Sequence, residues 1–218
     1  MSTQWAEPAT HTLLRVDAGI LLPSQAPAPA WVAASLHRAP WVVVRRAPSG
    51  RSLIPVGVRG EAREQRYAAW IGAHDIRGQR TPQALAAERG WRVCGGSQGR
   101  PALAALDAVE SIMCSAGLAG RWGPTGSVGF ELASHRATAR EQSDLDLAIR
   151  LEQPLSCAAA RGLEAALAPL PVRCDVLLEM PWGAVSLGEL AQMPRRILLR
   201  TVHGPRLIDS GCAAVADG

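Results

Sequence analysis

The chain contains no lysine: all 23 of its basic side chains are arginine. Every fixed cation is therefore a planar guanidinium fork, the side chain best matched to phosphate. The formal net charge is only +4. No basic run interleaved with aromatics occurs, so a polyanionic partner is permitted but a nucleic-acid stripe is not indicated. Aromatics are scarce outside tryptophan, with seven Trp against one Tyr and one Phe. The Trp residues read as core rather than as base-stacking platforms. The five cysteines, Cys94, Cys114, Cys157, Cys174 and Cys212, form no C-x-x-C pair. An odd, scattered set argues for free thiols and a reducing cytoplasm. No apolar run reaches membrane-spanning length, so no membrane partner is expected. Met1 to Pro8 carries an acid and lacks an apolar stretch, so a signal peptide is not expected.

What is present is a chain of 218 residues, 48% of them apolar, enough for one large domain or two small ones. Residues 1–30 read as irregular, with an Ala/Pro linker over Pro23–Pro29. Trp41–Val44 and Leu53–Val58 read as strands of a hairpin around the Pro48-Ser49-Gly50 turn. Gly60 then precedes an expected helix over Glu61–Ile71, with Arg59, Arg63 and Arg66 near its start. Thr81-Pro82 has the form of an N-cap followed by a first-turn proline. The run Cys94–Gly99 is the best boundary candidate. It divides the chain into an N-terminal α/β unit, residues 1–95, and a second domain, residues 100–218.

Pro101 opens an apolar helix to about Ala116, and Val128–Ala133 reads as one or two helical turns. Residues 134–142 form a polar loop with Arg136 and Arg140. A strand then runs to about Leu151. Ser156 caps a crossover helix, Cys157–Leu167, and Val172–Leu178 is a further strand. Leu187–Met193 reads as a short helix, Ile197–Leu199 as a strand or helix, and the last eight residues as frayed.

The chemistry concentrates in Gly126-Ser127 and Ser143-Asp144-Leu145-Asp146-Leu147. In a strand, Asp144 and Asp146 project from one face while Leu145, Leu147 and Ile149 pack on the other. Two adjacent carboxylates repel unless a cation lies between them, and Mg²⁺ favours a few carboxylates plus phosphate oxygens. A Gly-Ser turn offers backbone N–H groups and a hydroxyl to phosphate. Asp175, in the next apolar strand, is placed to share the face of the pair. It would complete a metal site or accept a hydroxyl proton. Glu131 reads as a helix-surface charge, with support of the site as the other reading. Arg45, Arg46, Arg59, Arg63 and Arg66 read as surface charges, as phosphate holders or as contacts to an acidic partner. Arg59, in the Gly57-Val58-Arg59-Gly60 turn, is the first choice for phosphate. Arg136 and Arg140 are candidates for a leaving pyrophosphate. Cys174 has no His partner in sequence and reads as an inert thiol.

Gly126-Ser127, Asp144-Leu145-Asp146-Leu147 and Asp175 together resemble nucleotidyltransferases of the DNA polymerase β type. The wider text Trp122–Ala133, with Ser143–Leu147, Ile54–Gly60, Arg66 and Thr81-Pro82, is similar to malonate decarboxylase holo-acyl-carrier-protein synthase. That family is also called phosphoribosyl-dephospho-CoA transferase. The resemblance covers roughly residues 40 to 200. It implies a nucleotidyltransferase-like mixed sheet flanked by helices, an α/β architecture. It implies transfer from triphosphoribosyl-dephospho-CoA to a serine of the acyl carrier subunit of malonate decarboxylase, with Mg²⁺. Asp144 and Asp146 carry over as the metal pair, and Gly126 and Ser127 as the phosphate turn. Competing readings are a transferase for another acceptor, such as the citrate lyase carrier protein, and a binding module without catalysis.

Overall fold

The computed structural model describes residues 8–209 apart from residues 18, 20, 24–26, 51–52, 63, 94–98 and 194. Arg63, the Cys94–Gln98 part of the expected boundary, Ser24–Ala26 of the expected linker and the last eight residues lie outside the described residues. The chain divides into two compact units. One comprises the residues up to Thr81 with Ala133–Arg136; the other comprises Pro82–Leu132 with the residues from Ala137 onward.

In the first unit, β1 (Leu13–Val16), β2 (Leu22–Pro23), α1 (Ala30–Arg38), β3 (Trp41–Val44), β4 (Leu53–Arg59), β5 (Arg66–Gly72) and β6 (Ile76–Arg80) follow in order. The strands form an antiparallel sheet ordered β2-β5-β4-β3-β1-β6. Alternate residues Val42, Val44, Val56, Val58, Ala69 and Ile71 face one side, where Val32 and Leu36 of α1 close the core.

Two expectations fail here. The segment 61–71 is not a helix: Arg66–Gly72 is a strand paired residue for residue with Leu53–Arg59. Gly60 N–H donates to the Gln65 carbonyl at 3.0 Å and closes the turn between them. The arginine spacing suggested a helix, but Tyr67, Trp70 and Ile71 favour a pleated surface, and the β4 edge satisfies their backbone. Residues 1–30 are not wholly irregular either. Leu13–Val16 lies between β3 and β6, where two neighbours stabilise a strand too short to signal itself.

The second unit holds α2 (Pro82–Glu88), α3 (Pro101–Ala104), α4 (Leu106–Ser115), β7 (Trp122–Pro124), α5 (Gly126–Ser134), β8 (Leu145–Arg150), α6 (Cys157–Leu167), β9 (Cys174–Met180), β10 (Gly183–Ser186), α7 (Leu187–Ala191), β11 (Arg196–Thr201) and β12 (Gly204–Asp209). The expected helix from Pro101 is thus two pieces, broken at Ala105. The sheet order is β12-β11-β10-β9-β8-β7, so the fold is α/β with a mixed sheet. Its parallel pair, β8 and β9, is joined by α6. Ser156 caps α6, its Oγ accepting from Ala159 N–H at 3.1 Å. Leu145, Leu147 and Ile149 are fully buried in β8, while Ala160, Leu163 and Leu167 are buried in α6. Among the described residues no helix is long and apolar enough to cross a membrane.

Helix α2 packs against β7 at Gly123, where a Cβ would stand 1.8 Å from the Pro82 carbonyl oxygen. A strand glycine at such a point marks close backbone approach. Gly123→Ala is expected to lower unfolding stability by about 3 kcal/mol, read by urea denaturation, because backbone rather than a flexible side chain must yield.

Candidate active site

Strand β7 runs antiparallel to β8, with Pro124 opposite Leu147. The next residue, Thr125, donates its N–H to the Asp146 carbonyl at 2.8 Å. The chain then turns into α5 through Gly126, whose φ is +56°. A Cβ there would lie 1.8 Å from Asp146 Oδ2 and 2.7 Å from its Cγ. The Asp146 carboxylate therefore rests against the glycine, at the N-terminus of α5, where negative charge is favoured. Glycine is required twice over: for its left-handed backbone and for the space the carboxylate fills.

Asp144 precedes β8 and is half-buried, as is Asp146. Their alternation with buried Leu145 and Leu147 puts both on the face away from the leucines. In the parallel pair, Asp146 stands beside Asp175 and Leu145 beside Cys174. Adjacent strands are about 4.8 Å apart, so the Asp146 and Asp175 side chains share one face as neighbours. Asp175 is held by Arg173, whose Nε donates to Oδ1 at 3.1 Å and whose Nη2 lies 3.0 Å away. Arg173 carries a counter-charge that the sequence reading did not single out. Its signal was the i, i+2 spacing that puts it on the face of Asp175.

Asp175 also opens onto a cleft of about 760 Å³, lined among others by Glu164, Cys174, Ser186, Glu189 and Gln192. Burial first, then the charges of Glu164 and Asp175, push the Cys174 thiol up to about 11. It is therefore neutral at physiological pH.

Glu131 overturns its surface-charge reading: it is 3% exposed. One oxygen accepts from Thr138 N–H at 2.8 Å and Ala139 N–H at 2.9 Å. The other is paired with Arg100. Thr138 Oγ1 donates in turn to the Ser127 carbonyl at 2.8 Å. The loop is thus tied back to α5, which carries the Gly-Ser turn. Ser143 closes its far end: Arg140 N–H donates to Ser143 Oγ at 2.9 Å, and Ser143 N–H to the Arg140 carbonyl at 3.0 Å. A tethered loop therefore delivers the chain to Asp144. The clue in the sequence was Glu131's place on a helix whose other side chains are mostly apolar.

The structure brings Gly126, Asp146 and Asp175 together, with Asp144 beside them. Ser127 is 7% exposed and lies in the first turn of α5. Arg140 is exposed in the turn before Asp144, and Arg136 is exposed after the end of α5. Arg59 ends β4 in the first unit. Among the described residues no group of three or more His, Cys, Asp or Glu could hold a metal ion. The donor set at Asp144 and Asp146 is two carboxylates, which suits an ion that completes its shell with substrate oxygens and water.

Residues 9–82 match the phosphoribosyl-dephospho-CoA transferase MdcG N-terminal domain, and residues 80–211 match its C-terminal domain. The chain belongs to the phosphoribosyl-dephospho-CoA transferase MdcG family. It is an enzyme, a transferase. A phosphoribosyl-dephospho-CoA transferase of Pseudomonas putida (strain GB-1) is 42% identical over 207 residues, 95% of this chain and 96% of the relative. One from Pseudomonas aeruginosa is 40% identical over 205 residues, covering 94% and 93%. One from Klebsiella pneumoniae (strain 342) is 40% identical over 200 residues, covering 92% and 94%. No solved structure matches the chain.

Two outcomes follow from this geometry. Glu131→Ala leaves two backbone N–H groups and Arg100 without their acceptor, at a cost of about 3 kcal/mol in stability. Faster trypsin cleavage after Arg136 and Arg140 is the accompanying readout of a freed loop. Iodoacetamide at pH 8 should label exposed Cys114 before Cys174, with Cys174 gaining reactivity only towards pH 11, as followed by peptide mass mapping.

Proposed function

We propose that the chain transfers the phosphoribosyl-dephospho-CoA group from triphosphoribosyl-dephospho-CoA to a serine of the malonate decarboxylase acyl carrier subunit. The serine oxygen forms a bond to the α-phosphorus, the bond from that phosphorus to the bridging oxygen of the β-phosphate breaks, and pyrophosphate leaves. The observation that carries this reading is the Asp146 carboxylate seated on Gly126 at the start of α5, with Asp175 beside it in register. In this reading the turn that receives phosphate and the carboxylates form one site.

In this reading, the Gly126-Ser127 turn receives the donor's phosphates with the N–H groups of α5. Asp144 and Asp146 would hold Mg²⁺, which neutralises charge on the phosphates when bound. Asp175 takes the proton of the incoming hydroxyl, with Arg173 orienting its carboxylate. Arg140, in the turn leading to Asp144, and Arg136 receive the departing pyrophosphate, and Arg59 holds phosphate in the first unit. The names of the relatives support the transferred group. The resemblance of Trp122–Ala133 and Ser143–Leu147 to malonate decarboxylase holo-acyl-carrier-protein synthase supports that carrier as the acceptor. The free thiols Cys114, Cys157 and Cys174 support a cytoplasmic setting.

Intact-mass spectrometry of apo carrier subunit tests the reading. The carrier is incubated with this protein, Mg²⁺ and triphosphoribosyl-dephospho-CoA. The expected result is a mass gain equal to the phosphoribosyl-dephospho-CoA arm, abolished by EDTA. Labelling from ATP instead would assign a different transferase. Asp144→Asn and Asp146→Asn, folded by circular dichroism, are expected to slow transfer by about 10³-fold or more, since charge neutralisation at phosphorus supplies several kcal/mol.

A further inference from the structure

The second sheet has a notch beside Asp175. Strand β9 begins at Cys174, and its antiparallel partner β10 ends at Ser186, opposite Leu177. The next residue, Leu187, opens α7. Cys174, Asp175 and Val176 therefore outrun β10. Among the described residues they have β8 on one side and no strand on the other. In β11, Leu198 N–H donates to Glu189 Oε1 of α7 at 2.8 Å. The cleft of about 760 Å³ occupies this gap, with residues 172–176 along one wall and Ser186, Gly188 and Gln192 along another.

The direction of the backbone follows from one bond. Leu145 N–H donates to the Arg173 carbonyl at 2.8 Å, so the odd-numbered residues at the start of β9 turn their backbone groups to β8. Successive residues alternate in this respect, and Cys174 and Val176 turn theirs to the notch. An unpaired strand edge is a template for a further strand. An extended segment laid there gains main-chain hydrogen bonds and sets one of its residues directly opposite Asp175. Directly opposed residues share a face, with Cβ atoms about 5 Å apart. A serine at that position has its hydroxyl beside the Asp175 carboxylate, whose other neighbour in register is Asp146. The Asp175 side chain is 46% exposed and so open to such a neighbour.

We propose that this edge of β9 docks the acceptor, an extended polypeptide segment that carries the serine and adds to the sheet as a strand. The charge of the cleft selects polypeptide over the polyphosphate donor: Glu164, Asp175 and Glu189 line it against a single arginine, Arg173. Its volume lies in the range that receives a few residues of chain, about 300 to 1,000 Å³. The residues on either side of the serine turn to the opposite face, which Cys174 shares. That Asp175 takes the serine's proton rests on the function proposed above; the docking edge rests on the notch alone.

Hydrogen–deuterium exchange of the full chain tests the docking edge directly. The chain is compared alone, with apo carrier subunit, and with inorganic tripolyphosphate, all in EDTA and without donor. The carrier is expected to slow exchange over residues 172–176, and tripolyphosphate is not. Fluorescence anisotropy with labelled carrier gives the affinities. Cys174→Pro removes an N–H aimed at the notch and none aimed at β8. It is expected to bind carrier about ten-fold more weakly than Cys174→Ala, which keeps that N–H. Melting curves check the fold, and the exchange experiment decides even where the proline lowers the melting temperature.

Steady-state transfer supplies the second arm. A Cβ at Gly188 meets only the flexible Glu164 side chain, at 3.4 Å, so Gly188→Leu fills the cleft without displacing backbone. It should raise the carrier KM with the donor KM little moved. Carrier that leaves residues 172–176 unprotected, or that binds the proline and alanine variants equally, overturns the docking edge. A rise in the donor KM alone makes the cleft a donor subsite and also overturns it. If wild type transfers nothing while the carrier still protects residues 172–176, the transferase reading fails and the docking edge stands.

Discussion

The carboxylate of Asp146 occupies the space in which any other residue at position 126 would place its Cβ. Much of the second unit's candidate site depends on that apposition. It joins the end of β7 to the start of α5 through a residue with φ of +56°, and it fixes β8 beside the turn through the Thr125 to Asp146 backbone bond. It also sets a negative charge at a helix N-terminus, which offsets part of the cost of keeping a half-buried carboxylate. The parallel register then carries the alignment one strand further, to Asp175. A one-residue slip of β9 would turn Asp175 to the opposite face and replace it with Cys174 or Val176. The crossover helix α6, capped at Ser156 and buried along Ala160, Leu163 and Leu167, is what holds that register.

A second carboxylate works by burial rather than by exposure. Glu131 satisfies two backbone N–H groups and one guanidinium in a site nearly closed to water. Removing one partner of such a set leaves the others unsatisfied, so the arrangement resists partial change. Its effect is to give a polar, arginine-bearing loop a defined path between α5 and β8. The candidate site thus gathers two half-buried carboxylates on one strand face, a third beside them in register and a buried fourth behind the turn, each in a different environment.

The first unit follows a different logic. Its core face is an ordinary alternation of Val, Ile and Leu against α1. The other face opposes Arg59 to Arg66 and lays Arg45 over Gly57. The absence of lysine from the chain gives this arrangement its character. Guanidinium groups present several donors in a rigid plane on a stem that packs along the sheet, where an ammonium is a compact, strongly hydrated point charge.

The sequence by itself determined the local events. Ser156 as a cap, Pro82 at a helix start, the alternation around Asp144 and Asp146, and the β3–β4 hairpin all follow from short-range sterics and period. The kinship with a transferase family was also legible there, because the Trp122–Ala133 and Ser143–Leu147 texts are contiguous. What tertiary structure decided was everything that needed a distant partner. Leu13–Val16 is a strand because β3 and β6 flank it, and Arg66–Gly72 is a strand because β4 satisfies its backbone. Glu131 is buried because Arg100 and the Thr138–Ala139 backbone, far from it in local pattern, converge on it. Helical spacing reports which residues share a face but not what covers that face. The contact of Asp146 with Gly126 likewise exists only once β7 and β8 are paired, since hydrogen bonds between strands, not the intervening sequence, bring the two together.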